Sequence, residues 1–172
     1  VDAVDIDPIT LDIAKNFFRY KPKNTSFFFE DARTYVKNCE KKYDLIIIDL
    51  FFSDGVPEHL TTKEFYKNLG NCLNDNGVVL SNSLMDFSNK LALNSVLSTF
   101  NSQFDDLHFF HKPGFEVSNL YIVAGKNGTS KRVQGLNISL DFIPKQIKPT
   151  VVQIIRNAKK FKKEDFNDQN IL

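Results

Sequence analysis

Between Tyr43 and Leu50 the chain reads Tyr-Asp-Leu-Ile-Ile-Ile-Asp-Leu, with four apolar β-formers in succession, Leu45 to Ile48. No other stretch constrains the fold as much. A strand that is apolar without alternation is covered on both faces, as strands in the middle of a parallel sheet are. Parallel neighbours need crossover connections, usually helices, and the flanking sequence supplies them. Val1 to Ile6 alternates apolar and acidic residues and stops at Asp7-Pro8, a strand running into a helix start with Pro8 in the tolerated first turn. Ile9, Ile13, Ala14, Phe17 and Phe18 then recur at helical spacing, so a helix runs to about Arg19. Thr25 to Phe29 is a β-prone run, and a short helix fits Ala32 to Asn38.

Beyond the central strand, a loop from Phe51 to Leu60 leads to a helix from about Thr62 to Leu73, with N-cap chemistry in Thr61-Thr62-Lys63-Glu64. Asn74 to Gly77 is a turn and Val78 to Leu80 a strand; Leu91 to Phe104 is a helix. Leu107 to Phe110 and Leu120 to Ala124 are strands without a helix between them, so they pair antiparallel. The expected fold is α/β and Rossmann-like: a mostly parallel sheet, helices on both faces, and a C-terminal antiparallel strand pair. Residues 1–126 form the main unit. Residues 127–172 form a linker and tail, in which Pro144 and Pro149 precede an amphipathic helix marked by Val151, Ile154, Ile155, Ala158 and Phe161. Lys159, Lys160, Lys162 and Lys163 lie on its other, solvated face.

Composition narrows the classes of function. A chain of 172 residues that is 42% hydrophobic is sized for about one domain with a core. A net charge of +1, from 22 basic and 21 acidic residues, argues against a nucleic-acid partner held by bulk charge and against an acidic disordered tail protein. No apolar run approaches the ~20 residues of a membrane span. Cys39 and Cys72 have no metal-type spacing, so neither a disulfide framework nor a cysteine zinc site is expected. They read as reduced thiols of a cytoplasmic protein, and no metal is expected.

Ligands of open α/β sheets bind beyond the carboxyl ends of the strands. The first strand ends in Asp5-Ile6-Asp7, the second in Glu30-Asp31, the central one in Asp49 and the next in Ser81-Asn82-Ser83. Three successive strands thus bring carboxylates to one rim. Each alone could cap a helix, Asp7 and Glu30 above all. Together they suit a nucleoside, because one carboxylate can accept both ribose hydroxyls and another the adenine amino group.

Val4-Asp5-Ile6-Asp7-Pro8, Glu30-Asp31-Ala32-Arg33, Tyr43 through Asp49, Pro57-Glu58-His59-Leu60-Thr61-Thr62-Lys63-Glu64-Phe65-Tyr66 and Leu73 through Val78 resemble, in order and spacing, the spermidine synthase family of polyamine aminopropyltransferases. The resemblance spans about Val1 to Lys126. It implies the class I S-adenosylmethionine-dependent methyltransferase fold. It also implies decarboxylated S-adenosylmethionine or S-adenosylmethionine as co-substrate and a small-molecule amine as acceptor. Asp5 would bind the ribose hydroxyls, and Asp31, with Ala32 beside it, the adenine amino group. Asp49 would stand at the reacting end and be catalytic: an ammonium is no nucleophile, so a carboxylate must hold the amine and take its proton. Phe52, Asp54 and Glu58 would belong to the substrate or gate loop, with His59 a loop or capping residue. A homodimer of the intact protein is a further expectation.

Departures from the family pattern set the alternatives. Where the family has Asp-Ser-Ser-Asp-Pro, this chain has Asp49-Leu50-Phe51-Phe52-Ser53-Asp54, with Phe52 at the place of the second acid. Phe115-Glu116-Val117-Ser118 replaces a Tyr-Pro-Ser-Gly type segment. The chain begins at Val1, and none of its seven glycines precedes Gly55. The resemblance therefore implies that the fold's first strand and Gly-rich loop are missing. The chain would then be the C-terminal part of a larger protein, binding its co-substrate weakly and inactive alone. The alternatives are a methyltransferase acting on an unknown acceptor, and a non-catalytic family member. A nicotinamide dehydrogenase also uses an acidic second strand, but the loop after Asp49 and the closing antiparallel pair argue against it.

Overall fold

The computed structural model describes residues 1–51, 55–111 and 114–126, together with the backbone of residues 159–160. In chain order the elements are β1 (Asp2–Asp5), α1 (Ile9–Phe17), β2 (Ser26–Phe29), α2 (Ala32–Lys37), β3 (Tyr43–Ile48), a 3-10 turn (Glu58–Leu60), α3 (Lys63–Cys72), β4 (Leu73–Asp86), α4 (Lys90–Asn101), β5 (Asp106–His111), β6 (Val117–Gly125) and β7 (Lys159–Lys160). β1 and β2 pair in parallel, Asp2 opposite Ser26 and Asp5 opposite Phe29. The other strands form a sheet of order β3-β4-β6-β5-β7. Its β3–β4 pair is parallel, and β6 runs antiparallel to both β4 and β5. The expected α/β alternation and closing antiparallel pair are therefore present. α1 and α3 supply the crossovers between parallel strands, whereas the short β5–β6 connection can only reverse direction.

The packed core sits around α3, α4 and the middle of the larger sheet. Phe65 and Leu69 of α3, Leu97 and Phe100 of α4, and Val79, Leu120 and Ile122 of β4 and β6 are all sealed from solvent. Thr62 sets the start of α3 by accepting the Phe65 N–H at 3.3 Å, which satisfies one of the otherwise orphaned amides of the first turn.

In three places the structure differs from the sequence expectation. The turn at Asn74–Gly77 is absorbed into β4 as an irregularity: Tyr43 pairs with Leu73, but Leu45 already pairs with Val78. Gly77 makes this possible, because a Cβ there would lie 2.8 Å from the Tyr43 carbonyl oxygen. Beyond the bulge β4 runs on to Asp86, since β6 pairs with it along its whole length from Val78 to Asp86. Second, β3 is not covered on both faces. Leu45 and Ile47 are 52% and 63% exposed: β3 lies at the edge of its sheet, and among the described residues that face is only partly covered. Third, Lys159 and Lys160, expected on a helix, form β7 opposite Phe109 and His108. The outer edge of β5 offers unpaired backbone groups, and an extended pair satisfies them. The rest of the expected tail helix, and Pro144 and Pro149, lie outside the described residues.

Among the described residues β1 pairs only with β2 and β3 only with β4, so each has one open edge. An apolar slot of about 150 Å³ lies there, lined by Val4, Tyr35, Val36, Leu45, Ile47 and Cys72 among others. Asp2 ties the two sheets together at one end. Its Oδ2 accepts from Tyr43 Oη at 2.6 Å, from Lys41 Nζ at 2.7 Å and from Tyr35 Oη at 3.3 Å. The Lys41 and Tyr43 hydrogen bonds outweigh burial and hold the Asp2 carboxyl below its usual range.

Candidate active site

At the opposite, carboxyl end of the strands lies a cleft of about 320 Å³ lined by Asp5, Asp31, Ala32, Asp49, His59 and their chain neighbours. Four residues expected in the site, Asp5, Asp31, Ala32 and Asp49, are thus brought together from the ends of β1, β2 and β3. The volume lies within the ~300–1,000 Å³ typical of small-molecule sites. Asp7 and Glu30 line the same cleft. Glu58 is not among its lining residues; it is exposed on the 3-10 turn beside it. Phe52 and Asp54 lie outside the described residues.

Each acid is held differently. Asp5 Oδ1 accepts the Asp7 N–H at 2.9 Å, closing the tight turn after β1. Its other oxygen takes no hydrogen bond from the described residues. Asp7 Oδ1 accepts the Ile9 N–H at 2.9 Å, so Asp7 has the capping role that the sequence left open for it. At the next strand end it is Asp31, not Glu30, that caps: Asp31 Oδ1 accepts the Thr34 N–H at 3.1 Å at the start of α2.

Asp31 Oδ2 lies 2.9 Å from His59 Nε2. Burial raises the Asp31 pKa, but the hydrogen bonds from His59 and the Thr34 N–H outweigh it, so the carboxyl titrates below its usual range. Arg33 reinforces the arrangement by donating to the His59 carbonyl oxygen at 2.6 Å and to Thr62 Oγ1 at 2.7 Å. One arginine thereby fastens the 3-10 turn and the α3 cap to the start of α2. A carboxylate has about four lone-pair sites; with the Thr34 and Arg33 amides and His59 as its partners, Asp31 can still accept a ligand N–H.

Asp49 is exposed at the tip of β3. Its Oδ1 accepts from Asn82 Nδ2 at 3.0 Å, and Asn82 Oδ1 accepts from Asn119 Nδ2 at 2.8 Å. The second bond fixes which way the Asn82 amide points, so that its N–H faces the carboxylate. Asn82 stood in the sequence among the residues ending a strand at the rim. Asn119 was missed. Asn82 pairs with Tyr121, so Asn119 is its diagonal neighbour on the same sheet face; only the register of the antiparallel pair reveals it.

Among the described residues no group of three or more His, Cys, Asp or Glu side chains could hold a metal ion, and no helix is long and apolar enough to cross a membrane.

Carboxylates gathered past the ends of two parallel strand pairs, the second continued by antiparallel strands, define a Rossmann-like domain of the methyltransferase kind. The chain belongs to the spermine/spermidine synthase family, whose "Spermine/spermidine synthase domain" matches residues 1–113. A polyamine aminopropyltransferase of Vibrio vulnificus is 28% identical over 158 residues, which are 90% of this chain and 51% of that protein. The chain spans about half the length of the curated relatives it matches, or less. In fold it is similar to a probable spermidine synthase from Corynebacterium glutamicum, with a TM-score of 0.72 and 16% identity over 99% of this chain and 61% of the other. Human methyltransferase-like protein 13, solved in complex with SAH, shares the fold with a TM-score of 0.64 and 19% identity, over 99% of this chain and 75% of the other.

Proposed function

We propose that the chain is the C-terminal part of a transferase that moves an aminopropyl group from decarboxylated S-adenosylmethionine to a small amine of the polyamine class. The observation that carries the reading is the single cleft in which Asp5, Asp31, Ala32 and Asp49 meet. Asp5, with one oxygen uncommitted, is suited to the ribose hydroxyls. Asp31, kept ionised by His59 and the α2 amides, accepts the adenine amino group, and the small side chain of Ala32 leaves room for the ring. Asp49 holds the acceptor ammonium and takes its proton, so that the nitrogen lone pair can attack the aminopropyl carbon. The new C–N bond forms as the C–S bond of the sulfonium breaks, and a neutral thioether nucleoside leaves.

Asn82 positions Asp49 for this work, with Asn119 behind it. Phe52, Asp54 and Glu58 form the substrate or gate loop. Residues 1–126 are the catalytic unit and 127–172 a linker and tail. The open edges of β1 and β3 support a further strand between them in the intact protein, which we place in the cytoplasm as a homodimer.

A second reading is methyl transfer from S-adenosylmethionine to an unknown acceptor. It is favoured by Phe52 at the place of a substrate-binding acid and by the fold shared with the human methyltransferase-like protein. Thermal protection of the intact protein separates the two: methylthioadenosine is expected to raise the melting temperature more than S-adenosylhomocysteine, and the reverse order selects methyl transfer. Asp49→Asn is expected to lower product formation about 100-fold or more, the scale of a lost general base. An unchanged rate overturns catalysis by Asp49, whereas an intact wild-type protein that forms no product is a non-catalytic family member. The 172-residue chain alone is expected to bind S-adenosylmethionine weakly; tight binding by calorimetry would refute the partial-site reading.

A further inference from the structure

Cys39 and Cys72 are 33 positions apart in the sequence, yet the fold sets the segments that carry them side by side. Two cross-connections bracket the meeting point. Cys72 Sγ donates to the Val36 carbonyl oxygen at 3.4 Å, and Lys42 Nζ donates to the Asn71 carbonyl oxygen. Residues 36 and 42 therefore both touch residues 71–72, and Cys39 lies midway between them. Cys39 Sγ donates to the Lys41 carbonyl oxygen at 3.2 Å, inside the same bracket, and neither cysteine is in a disulfide. Cys72 is buried at the end of α3 against the apolar slot, while Cys39 is partly exposed just past the end of α2. Burial, and then the neighbouring Cys39 thiol, push the Cys72 thiol up to about 12. The partly exposed Cys39 is thus the thiol an oxidant meets first, with Cys72 held behind it.

We infer that Cys39 and Cys72 form a redox-active pair that closes reversibly to an intrachain disulfide across the ends of α2 and α3. With a small disulfide such as oxidised glutathione, the Cys39 thiolate attacks one glutathione sulfur, the S–S bond breaks, and one glutathione leaves as thiolate. Cys72, losing its proton to solvent, then attacks the Cys39 sulfur; the Cys39–Cys72 bond forms and the second glutathione leaves. Two protein thiols are oxidised and one glutathione disulfide is reduced to two thiols. In a reducing compartment the pair rests open, as transient and redox-sensing cysteine pairs do. Closure pins the far end of α2, whose near end carries Asp31 and Ala32, so the bond acts on the element that holds part of the cleft.

The test is to incubate the folded 172-residue chain with oxidised glutathione, quench by alkylation and measure intact and peptide masses. The expected product has lost two hydrogens, takes no alkyl group, and yields a linked Cys39–Cys72 peptide pair that dithiothreitol separates. Cys72→Ser is expected instead to retain glutathione on Cys39, because the resolving thiol is gone, and Cys39→Ser to remain largely unmodified. The proposal is overturned if the wild-type chain keeps two alkylatable thiols, if it stops at a glutathione adduct, or if the disulfide links two chains. Cys39→Ser alters a partly exposed residue, so the test stands even where Cys72→Ser weakens the core.

Discussion

Two helices of this protein invite comparison. α1 carries Ile9, Ile13 and Phe17 and is by composition the more apolar, yet none of its residues is buried. α3, with two lysines, two asparagines and a glutamate in ten residues, buries Phe65, Tyr66, Leu69, Gly70 and Cys72. The difference lies in what each helix faces. α3 packs between α2 and α4 over the broad sheet, with Tyr66 and Phe100 ring centroids 4.0 Å apart. α1 belongs to a two-stranded sheet whose inner edge opens on the slot, and Phe17 and Phe18 stay 79% and 78% exposed. Apolar composition supplies the drive to bury surface, but only an opposing layer allows it. The candidate site lies along the seam, taking Asp5, Asp31 and Ala32 from the thin side and Asp49 from the thick one.

Substitutions can break or sharpen this contrast. The largest effect is expected for Phe100→Ala, which empties a fully buried position and should cost about 3–5 kcal/mol in a denaturant titration. Asp2→Ala acts on the tie between the sheets. Loss of its hydrogen bonds from the two tyrosines should cost on the order of 1–2 kcal/mol at neutral pH. The sign with pH is fixed by the lowered carboxyl pKa. The folded state binds fewer protons than the unfolded one, so the Asp2 contribution is complete above about pH 4 and fades as pH falls through the folded value. Unfolding curves of wild type and Asp2→Ala should therefore converge in acid. Thr62→Ala removes the α3 cap and should cost about 1 kcal/mol. Phe17→Ala is expected to change stability by less than about 0.5 kcal/mol, as exposed substitutions do. If it cost as much as Phe100→Ala, the contrast between the two regions would be wrong.

Much of the site was legible because strand ends in an α/β sheet share one rim. Asp5, Asp31 and Asp49 follow the ends of successive strands in a β/α alternation, and their meeting follows from topology. The partners of those acids were harder to see. Asp31 doubles as the α2 cap and as the His59 acceptor, and the second role depends on where a loop folds back after β3. Asn119 reaches Asn82 only through strand register. The apolar run Leu45 to Ile48 records a preference for burial on both faces and not which neighbours are present. The proximity of Cys39 and Cys72 left no trace in their spacing, since it arises from helices α2 and α3 ending together.

The open edge of β3 has a consequence for how fast its backbone hydrogens are lost to heavy water. In a parallel pair, the amides of alternate residues point to opposite sides of the strand. On β3 one set is bonded to β4 and the other faces the slot. Deuterium uptake along Tyr43–Ile48 should therefore alternate residue by residue, slow and fast. A segment that seats itself between β1 and β3 would turn the fast set slow without touching a single carboxylate at the rim.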